Sequence, residues 1–107
     1  MSKNILNILV VSASSLPLAR KIRDKYQGKT TIYCREADND VEPFTSFEEL
    51  AGDLFDKSEA MVFIGAMGIC VRSIAPYVKS KYTDPAVVCL DSTGKYVVSV
   101  LSGHIGG

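Results

Sequence analysis

Short apolar runs alternate with helical patterns along this chain, and this alternation constrains the fold more than any other feature of the sequence. Five runs that are apolar and partly β-branched predict strands at 5–11, 30–34, 61–64, 86–90 and 96–101. Strands that alternate with helices form a parallel sheet with helices on both faces. We therefore expect a three-layer α/β domain with a mostly parallel, doubly wound sheet. A short turn at 91–94 makes the last strand an antiparallel hairpin strand, so the order is β-α-β-α-β-α-β-β.

Helix signals follow each of the first three runs. Ser46 and Glu49 form a capping box, which predicts the start of the second helix. A tight turn at 65–68 precedes the third helix, which is predicted from Ile69 onward. Pro76 should kink or split that third helix, because proline lacks the N–H that the helix interior needs.

Composition limits the size and class of the protein. The 107 residues are 47% hydrophobic and 22% charged, which is typical of one globular domain, here 1–107. Twelve basic and twelve acidic side chains give a net charge of zero, so there is no electrostatic basis for binding nucleic acid or an anionic membrane. Low net charge leaves self-association to a homo-oligomer open.

No run approaches the roughly 20 apolar residues of a membrane span. The run at 5–11 is only seven residues long and is broken by Asn7, which favours a first strand over a signal peptide.

The three cysteines, Cys34, Cys70 and Cys89, are widely spaced and form no CxxC motif. Each lies in or beside an apolar run, which predicts free, buried thiols in a reducing cytoplasm. The acid-rich segment 35–45 has no recognisable ligand spacing and is predicted to be a solvated surface loop. We therefore expect no metal site in the protein.

The turn at 65–68 is the first candidate for binding chemistry. Gly65 and Gly68 let a ligand approach the backbone, and the N–H groups at a helix start attract anions. The pattern matches neither GxGxxG nor a P-loop, so a purely structural turn remains an alternative. Arg72 lies one helical turn further on and could bind a carboxylate in a bidentate manner. A solvent-facing or ion-paired arginine is the alternative for this residue.

His104, the only histidine, lies in a glycine-rich segment between Gly103 and Gly106. A general base beside several backbone N–H groups would suit such a loop. Because the fifth strand is antiparallel, its end at Ser102 should lie at the opposite edge of the sheet from 65–68. Asp84 precedes the fourth strand and is therefore the better candidate neighbour for His104.

Three motifs together resemble the N-terminal region of the cobalamin-biosynthesis CbiG family, the cobalt-precorrin-5A hydrolases. They are Gly-Ala-Met-Gly-Ile-Cys-Val-Arg-Ser-Ile-Ala-Pro at 65–76, Thr-Asp-Pro-Ala-Val-Val at 83–88 and Leu-Ser-Gly-His-Ile-Gly-Gly at 101–107. The resemblance covers essentially the whole chain and is strongest from Met61 onward. It implies a role in cytoplasmic, anaerobic vitamin B12 biosynthesis.

The resemblance also implies a reaction. Water opens the ring-A δ-lactone of a cobalt-bound macrocycle, cobalt-precorrin-5A, and acetaldehyde is released. The cobalt belongs to the corrinoid substrate, so no protein-bound cofactor or metal is expected. Family members continue into further C-terminal domains, so we expect this chain to be an N-terminal fragment that works with them.

Candidate roles follow from what that reaction needs. We assign His104 as the base for water and Asp84 as the residue that orients it. The hydroxyl of Ser102 and the N–H groups of Gly106 and Gly107 are candidate oxyanion donors. The remaining candidates bind the substrate and its carboxylates: Gly65, Gly68, Arg72 and Gly103.

Two other functions remain open at this point. A non-catalytic module could bind the corrinoid or dock another domain, and Arg72 and the 65–68 turn would serve it equally well. Only His104 in its glycine loop favours an enzyme. A flavodoxin-like phosphate or nucleotide binder is less consistent, because 12–15 offers only hydroxyls after the first strand.

Overall fold

Strands and helices alternate through the described part of the chain, residues 5–36, 38–80 and 83–102 of a computed structural model. The strands are β1 Ile5–Val10, β2 Lys29–Cys34, β3 Ala60–Ile64, β4 Ala86–Leu90 and β5 Val97–Ser102. The helices are α1 Leu16–Lys25, α2 Phe47–Phe55 and α3 Met67–Ile74, with 3-10 turns at Ala13–Ser15 and Ala75–Tyr77. The order of elements predicted from the sequence is confirmed.

One sheet contains these strands in the spatial order β2-β1-β3-β4-β5. The first four are parallel, and β5 runs antiparallel to β4. In the centre, Ile8 pairs with Ile32 on one side and with Val62 on the other. The chain moves outward from β1 to β2 and then returns past β1 to β3, so the sheet is doubly wound, as expected.

Helices cover both faces of the sheet because side chains in the central strands alternate between two cores. Ile8 and Val10 belong to the core under α1, together with Leu16 and Ala19 of that helix. Leu9 points to the opposite core, which α2 and α3 complete; its larger members include Phe55, Phe63, Met61 and Ile74. Two-sided burial explains why β1 reads as a continuous apolar run rather than an alternating one.

Helix termini follow the predicted signals with one difference. The Oγ atom of Ser46 accepts a hydrogen bond from the Glu49 N–H at 3.3 Å, so the capping interaction is present. The third helix ends before a 3-10 turn that contains Pro76, as predicted. However, α3 begins at Met67 rather than at Ile69. Ala66 has an extended backbone, and its carbonyl accepts the Cys70 N–H at 3.3 Å, so the first turn includes Gly68.

The acid-rich segment after β2 is an exposed surface loop, as predicted, and ion pairs to α1 hold it in place, which the sequence did not predict. Arg20 lies 2.8 Å from carboxylate oxygens of both Asp38 and Asp40. Arg23 approaches Asp40 at 2.6 Å. These arginines hold the pKa of Asp40 far below its usual range. The Asn39 backbone N–H and Arg20 also lower the pKa of Asp38.

The same segment also protects the outer edge of β2. The Glu42 N–H donates to the Ile32 carbonyl at 2.9 Å, and the Cys34 N–H donates to the Glu42 carbonyl at 3.1 Å. Val41 beside them is buried. The sequence pattern did not predict this pairing, because Glu42 stands in a polar stretch with a proline next to it.

We predict that Asp40→Asn destabilises the protein at neutral pH and progressively less in acid. The folded-state pKa of Asp40 lies below the unfolded value, so its contribution is present above about pH 4 and is lost as the pH falls through the folded-state pKa. Thermal unfolding at pH 7 should show a decrease of about 2–5 °C, and the difference should shrink at about pH 2. Asp53→Asn, on the exposed side of α2, is the control. An equal loss at both pH values for Asp40→Asn would contradict the prediction.

Candidate functional site

The predicted site residues are divided between two edges of the sheet. At the carboxyl edge, where β1, β3 and β4 end, lie Val11, Gly65 and Asp91. At the amino edge, where β3 and β4 begin and β5 ends, lie Glu59 and Ser102. Because the strand order reverses between β1 and β3, the carboxyl edge there is the position where doubly wound sheets usually bind ligands.

Close packing at this reversal point explains why residue 65 is a glycine. Its φ of +152° is a conformation that side-chain-bearing residues rarely adopt. A Cβ atom at this position would stand 2.3 Å from Cγ2 of Val11. The Gly65 N–H also donates to the Leu90 carbonyl at 2.9 Å. Glycine at 65 is therefore required by the fold, whatever it contributes to binding.

Packing does not require a glycine at position 68. A Cβ atom there would meet nothing within 4 Å. Gly68 and Arg72 are four residues apart on α3, so they are neighbours on one exposed helix face. Helical side chains generally lean towards the helix start, so Arg72 is placed to reach the first turn of α3. The structure thus brings these two predicted substrate-binding residues together.

The start of α3 is open in a way that the start of α2 is not. Ala66 offers no side-chain cap, and the first turn of α3 has no acidic residue. In contrast, α2 is capped by Ser46 and carries two acidic residues in its first turn. The first turn of α3 can therefore accept a carboxylate, while that of α2 is closed to one by its own charges.

The exposed residues of α3 and the turn after it form a nearly uncharged surface, which we call the α3 face. It consists of Met67, Gly68, Val71, Arg72, Ala75 and Pro76, of which only the arginine is charged. Met67 is 37% exposed and Val71 43% exposed. An outward helix face is ordinarily polar, so this surface is suited to contact with an apolar partner that also carries an anion.

Two thiols lie beneath the same turn. Cys70 on α3 is fully buried, and Cys89 on β4 is nearly so. Burial, followed by the neighbouring Cys89, raises the pKa of the Cys70 thiol to about 12. Burial also raises the pKa of Cys89, whose sulfur lies 3.6 Å from the Gly65 carbonyl oxygen. All three cysteines are free and buried, which confirms the prediction. Burial disfavours the reactive thiolate form of Cys70 and Cys89.

Ser102 lies at the opposite edge from Gly65, as the hairpin predicted. It pairs with Ala86 at the beginning of β4, while Gly65 is bonded to Leu90 at the other end of that strand. Four residues of strand separate these two ends by about 13 Å. Within the described residues, the turn at 65–68 and Ser102 therefore cannot contact the same small group.

Asp84 lies at the amino edge, two residues before Ala86, and is buried. Its Oδ2 atom accepts hydrogen bonds from the Lys79 N–H at 2.8 Å and from the Ser80 N–H at 3.1 Å. These bonds fix the carboxylate in place and give it a structural role in the turn that enters β4. The strand register places Asp84 at the edge where β5 ends, as predicted. Its proposed role in orienting His104 stays a prediction.

A tyrosine–glutamate pair at the amino edge was missed from the sequence. The Tyr26 hydroxyl donates to a carboxylate oxygen of Glu59, which immediately precedes β3. Burial and this glutamate raise the pKa of Tyr26 to about 12. The Glu59 carbonyl accepts the Ala86 N–H at 3.1 Å, so the pair lies beside the strand that Ser102 joins. Local sequence patterns could not predict this contact, because Tyr26 and Glu59 are 33 residues apart.

Four predicted site residues, Gly103, His104, Gly106 and Gly107, lie outside the described residues, so their roles stay predictions. Across residues 5–36, 38–80 and 83–102 there is no group of three or more histidine, cysteine or acidic side chains that could hold a metal ion. In that same part of the chain no helix is both long enough and apolar enough to span a bilayer.

Comparison with known proteins gives consistent matches. The model of the cobalamin synthesis G N-terminal family matches residues 49–107. A cobalt-precorrin-5A hydrolase from Salmonella typhimurium is 51% identical over 61 residues, which cover 57% of this chain and 17% of the relative. A cobalt-precorrin-5A hydrolase from Priestia megaterium is 35% identical over an alignment of 107 positions, covering 94% of this chain and 29% of the relative. The chain thus spans less than a third of the length of these curated relatives.

A solved structure shows the same fold. The crystal structure of a cobalamin biosynthesis protein G homolog from Sulfolobus solfataricus superposes with a TM-score of 0.73 at 25% sequence identity. The match covers 96% of this chain and 30% of that chain. The five-stranded arrangement therefore recurs within a longer polypeptide.

We predict that the two glycines of the 65–68 turn respond oppositely to alanine. Gly65→Ala should destabilise the protein by about 2–4 kcal/mol, because the new Cβ collides with Val11 in a strained conformation. Gly68→Ala should be neutral or stabilising by up to about 1 kcal/mol, since the site is open and helical. Urea denaturation of both variants checks this. Equal stability of the two variants would contradict the packing argument.

Proposed function

The chain belongs to the cobalamin synthesis G N-terminal family, and on that premise we propose that it is the N-terminal part of a cobalt-precorrin-5A hydrolase. In this proposal the protein opens the ring-A δ-lactone of a cobalt-bound macrocycle with water and releases acetaldehyde. The observation that carries it is the family match, together with the name shared by both curated relatives. The reaction takes place in the cytoplasm during anaerobic cobalamin biosynthesis.

Lactone opening needs a base for water and donors for the oxyanion that forms. In the proposal His104 is the base, and the Ser102 hydroxyl with the N–H groups of Gly106 and Gly107 bind the oxyanion. Ser102 ends β5 at the amino edge. In the proposal the base acts at this edge, on the same side of the sheet as Asp84.

The surroundings of the amino edge support this placement. Asp84 is anchored by two backbone N–H groups, so its carboxylate would be a fixed group beside the proposed base. Tyr26 and Glu59 add a further hydrogen-bonded pair at the same edge. An anchored carboxylate orients an imidazole more effectively than a mobile one, because less conformational freedom is lost when the two meet.

Substrate recognition is proposed to use the α3 face. Its methionine and valine offer an apolar surface, and Arg72 offers a bidentate partner for a carboxylate of the macrocycle. Gly65, Gly68 and the uncapped start of α3 let the substrate approach the backbone, and Gly103 does the same at the other edge. No protein-held cofactor or metal is part of the proposal, because the cobalt enters with the substrate.

A second candidate function is recognition without catalysis. The α3 face lies on α3, which begins at the carboxyl edge, whereas Ser102 lies at the amino edge about 13 Å away along β4. A module that only binds the corrinoid, or docks another domain of the longer relatives, would use the α3 face alone. This candidate differs from the first in one measurable respect, which is the release of acetaldehyde.

We predict that Arg72→Gln weakens corrinoid binding by about tenfold or more, because one charge-assisted bidentate interaction is lost. The purified chain is titrated with the cobalt-precorrin lactone while its visible band is followed and acetaldehyde is assayed in the same tube. Lys21→Gln, an exposed cation on α1, is the matched control and should bind like the parent chain. Binding with acetaldehyde supports the hydrolase, and binding without it supports the recognition module. Unchanged binding by Arg72→Gln would remove the α3 face from the proposal.

We predict that loss of His104 abolishes turnover without abolishing binding. The His104→Ala change is made in this chain if the chain releases acetaldehyde, and otherwise at the aligned position of the Priestia megaterium relative. Acetaldehyde release should fall by about 10²–10⁴-fold, as expected for a lost general base. The spectroscopic titration of the corrinoid should stay within about twofold of the parent, since the base contributes little to ground-state binding. Near-normal turnover would exclude His104 from the mechanism.

A further inference from the structure

The outer strand β5 and the residue before it expose an apolar patch that neither core covers. Tyr96 is 71% exposed, Val97 62% and Val98 45%; we call these three residues the β5 patch. Val97 pairs with Leu90 and Val98 pairs with Cys89, so the two valines point to opposite faces of the sheet. None of the three belongs to either hydrophobic core. The patch therefore wraps around the edge of the sheet.

Nothing in β5 itself protects this edge. The strand VVSVLS contains no charged residue and no proline, the usual means by which natural proteins blunt an exposed strand. A bulge lies in the β4–β5 pairing between Val87 and Val88, away from Val97 and Val98. Among the described residues, no strand pairs with the outer side of β5. Apolar residues on an open strand edge normally indicate a surface that is covered in the functional protein.

The opposite edge of the same sheet shows the contrast. The outer strand there, β2, begins with Lys29 and is paired along part of its outer side by the backbone of Glu42. Val41 packs into the α1 core beside it. Within the described chain, one edge is thus protected by charge and by its own loop, while the other is both apolar and open.

Helices of the described chain do not reach β5 extensively. Helix α1 packs mainly against β1 and β2, and α3 packs against β4. On the α1 side, Val88 of β4 is only partly buried, and its neighbour on β5, Ser99, is exposed. The α1 layer reaches β4, where Leu90 is buried in its core, but it leaves Val97 and Ser99 of β5 exposed. A doubly wound sheet is ordinarily covered on both faces.

We propose that the β5 patch is the docking surface for the part of the same polypeptide that follows this region in the longer relatives. Those relatives are more than three times as long as the matched region, and the matching family is described as N-terminal, so most of their length follows it. Ser102 is the last residue of β5 in this chain, so the part in question follows the aligned strand in the sequence of the relatives. The inference depends on family membership and not on the hydrolase reaction.

The size of the patch favours a tethered occupant over a second copy. Three side chains of this kind offer on the order of a few hundred Å², whereas a stable dimer buries about 800 Å² on each partner. A segment connected through Ser102 needs far less area, because its effective concentration at β5 reaches the millimolar range. An apolar helix face or strand in the following region would satisfy both the open face and the open edge.

The proposal is tested by making the same substitution in this chain and in a full-length relative. In this chain, Val97→Lys should leave the melting temperature within about 1 °C, because the side chain is exposed and a lysine suits a strand edge. In the full-length Priestia megaterium relative, lysine at the position aligned with Val97 should lower it by about 5 °C or more, because the charge would be buried there. Lysine at Val78, an exposed valine outside the patch, and at its aligned position is the matched control and should change neither protein.

Two further measurements keep each outcome decisive. Hydrogen exchange of the strand aligned with β5 should be at least about tenfold slower in the full-length relative than in a form ending at the position aligned with Gly107, with the strand aligned with β1 as the internal reference. Equal exchange in the two forms, or equal tolerance of lysine in this chain and in the full-length relative, overturns the proposal.

Sedimentation should show this chain as a monomer. A dimer that Val97→Lys dissociates would assign the patch to a second copy instead.

Discussion

Two-sided burial of the central strands is the constraint on which the rest of the molecule depends. Residues Ile8 and Leu9 are both fully buried although they point to opposite faces of the sheet. Each face must therefore be covered by helices, and the helices must cross from the end of one parallel strand to the start of the next. That requirement places every connecting turn at one of two edges. The site residues inherit their separation from it, because the ends and the beginnings of the four parallel strands lie at opposite edges. Only the antiparallel β5 ends at the edge where the parallel strands begin.

Packing at the reversal point shows how the same constraint affects a local motif. The turns after β1 and β3 run side by side, so the backbone at Gly65 passes within reach of Val11. A sequence pattern such as Gly-Ala-Met-Gly cannot reveal which glycine serves packing and which leaves a surface open. The structure separates them, since Val11 leaves no space for a side chain at Gly65, while the space around Gly68 is empty.

Local signals predicted the elements, because the residues that specify them are close in sequence. The Ser46 capping interaction and the break at Pro76 depend on neighbours within a few positions, and both are present. The hairpin turn before β5 likewise placed Ser102 opposite Gly65 without knowledge of the strand order. In contrast, the pairing of Glu42 with β2 and the contact of Tyr26 with Glu59 join segments that only the tertiary fold brings together. The β5 patch escaped detection for the same reason, since Val97 and Val98 look like an ordinary buried strand until the sheet shows that their strand is at its edge.

Residues whose identity the packing of the fold does not explain are the most informative about function. The fold requires glycine at 65 and employs the buried carboxylate of Asp84 in a turn, so their presence alone says little about chemistry. Gly68, the exposed methionine and valine of the α3 face and the open valines of β5 have no such explanation within the described chain. Exposed apolar surface carries a cost in solubility and is normally matched by a partner. The α3 face carries a single cation and suits a ligand with a carboxylate, whereas the β5 patch has no charge and suits protein. The two surfaces therefore suit different occupants.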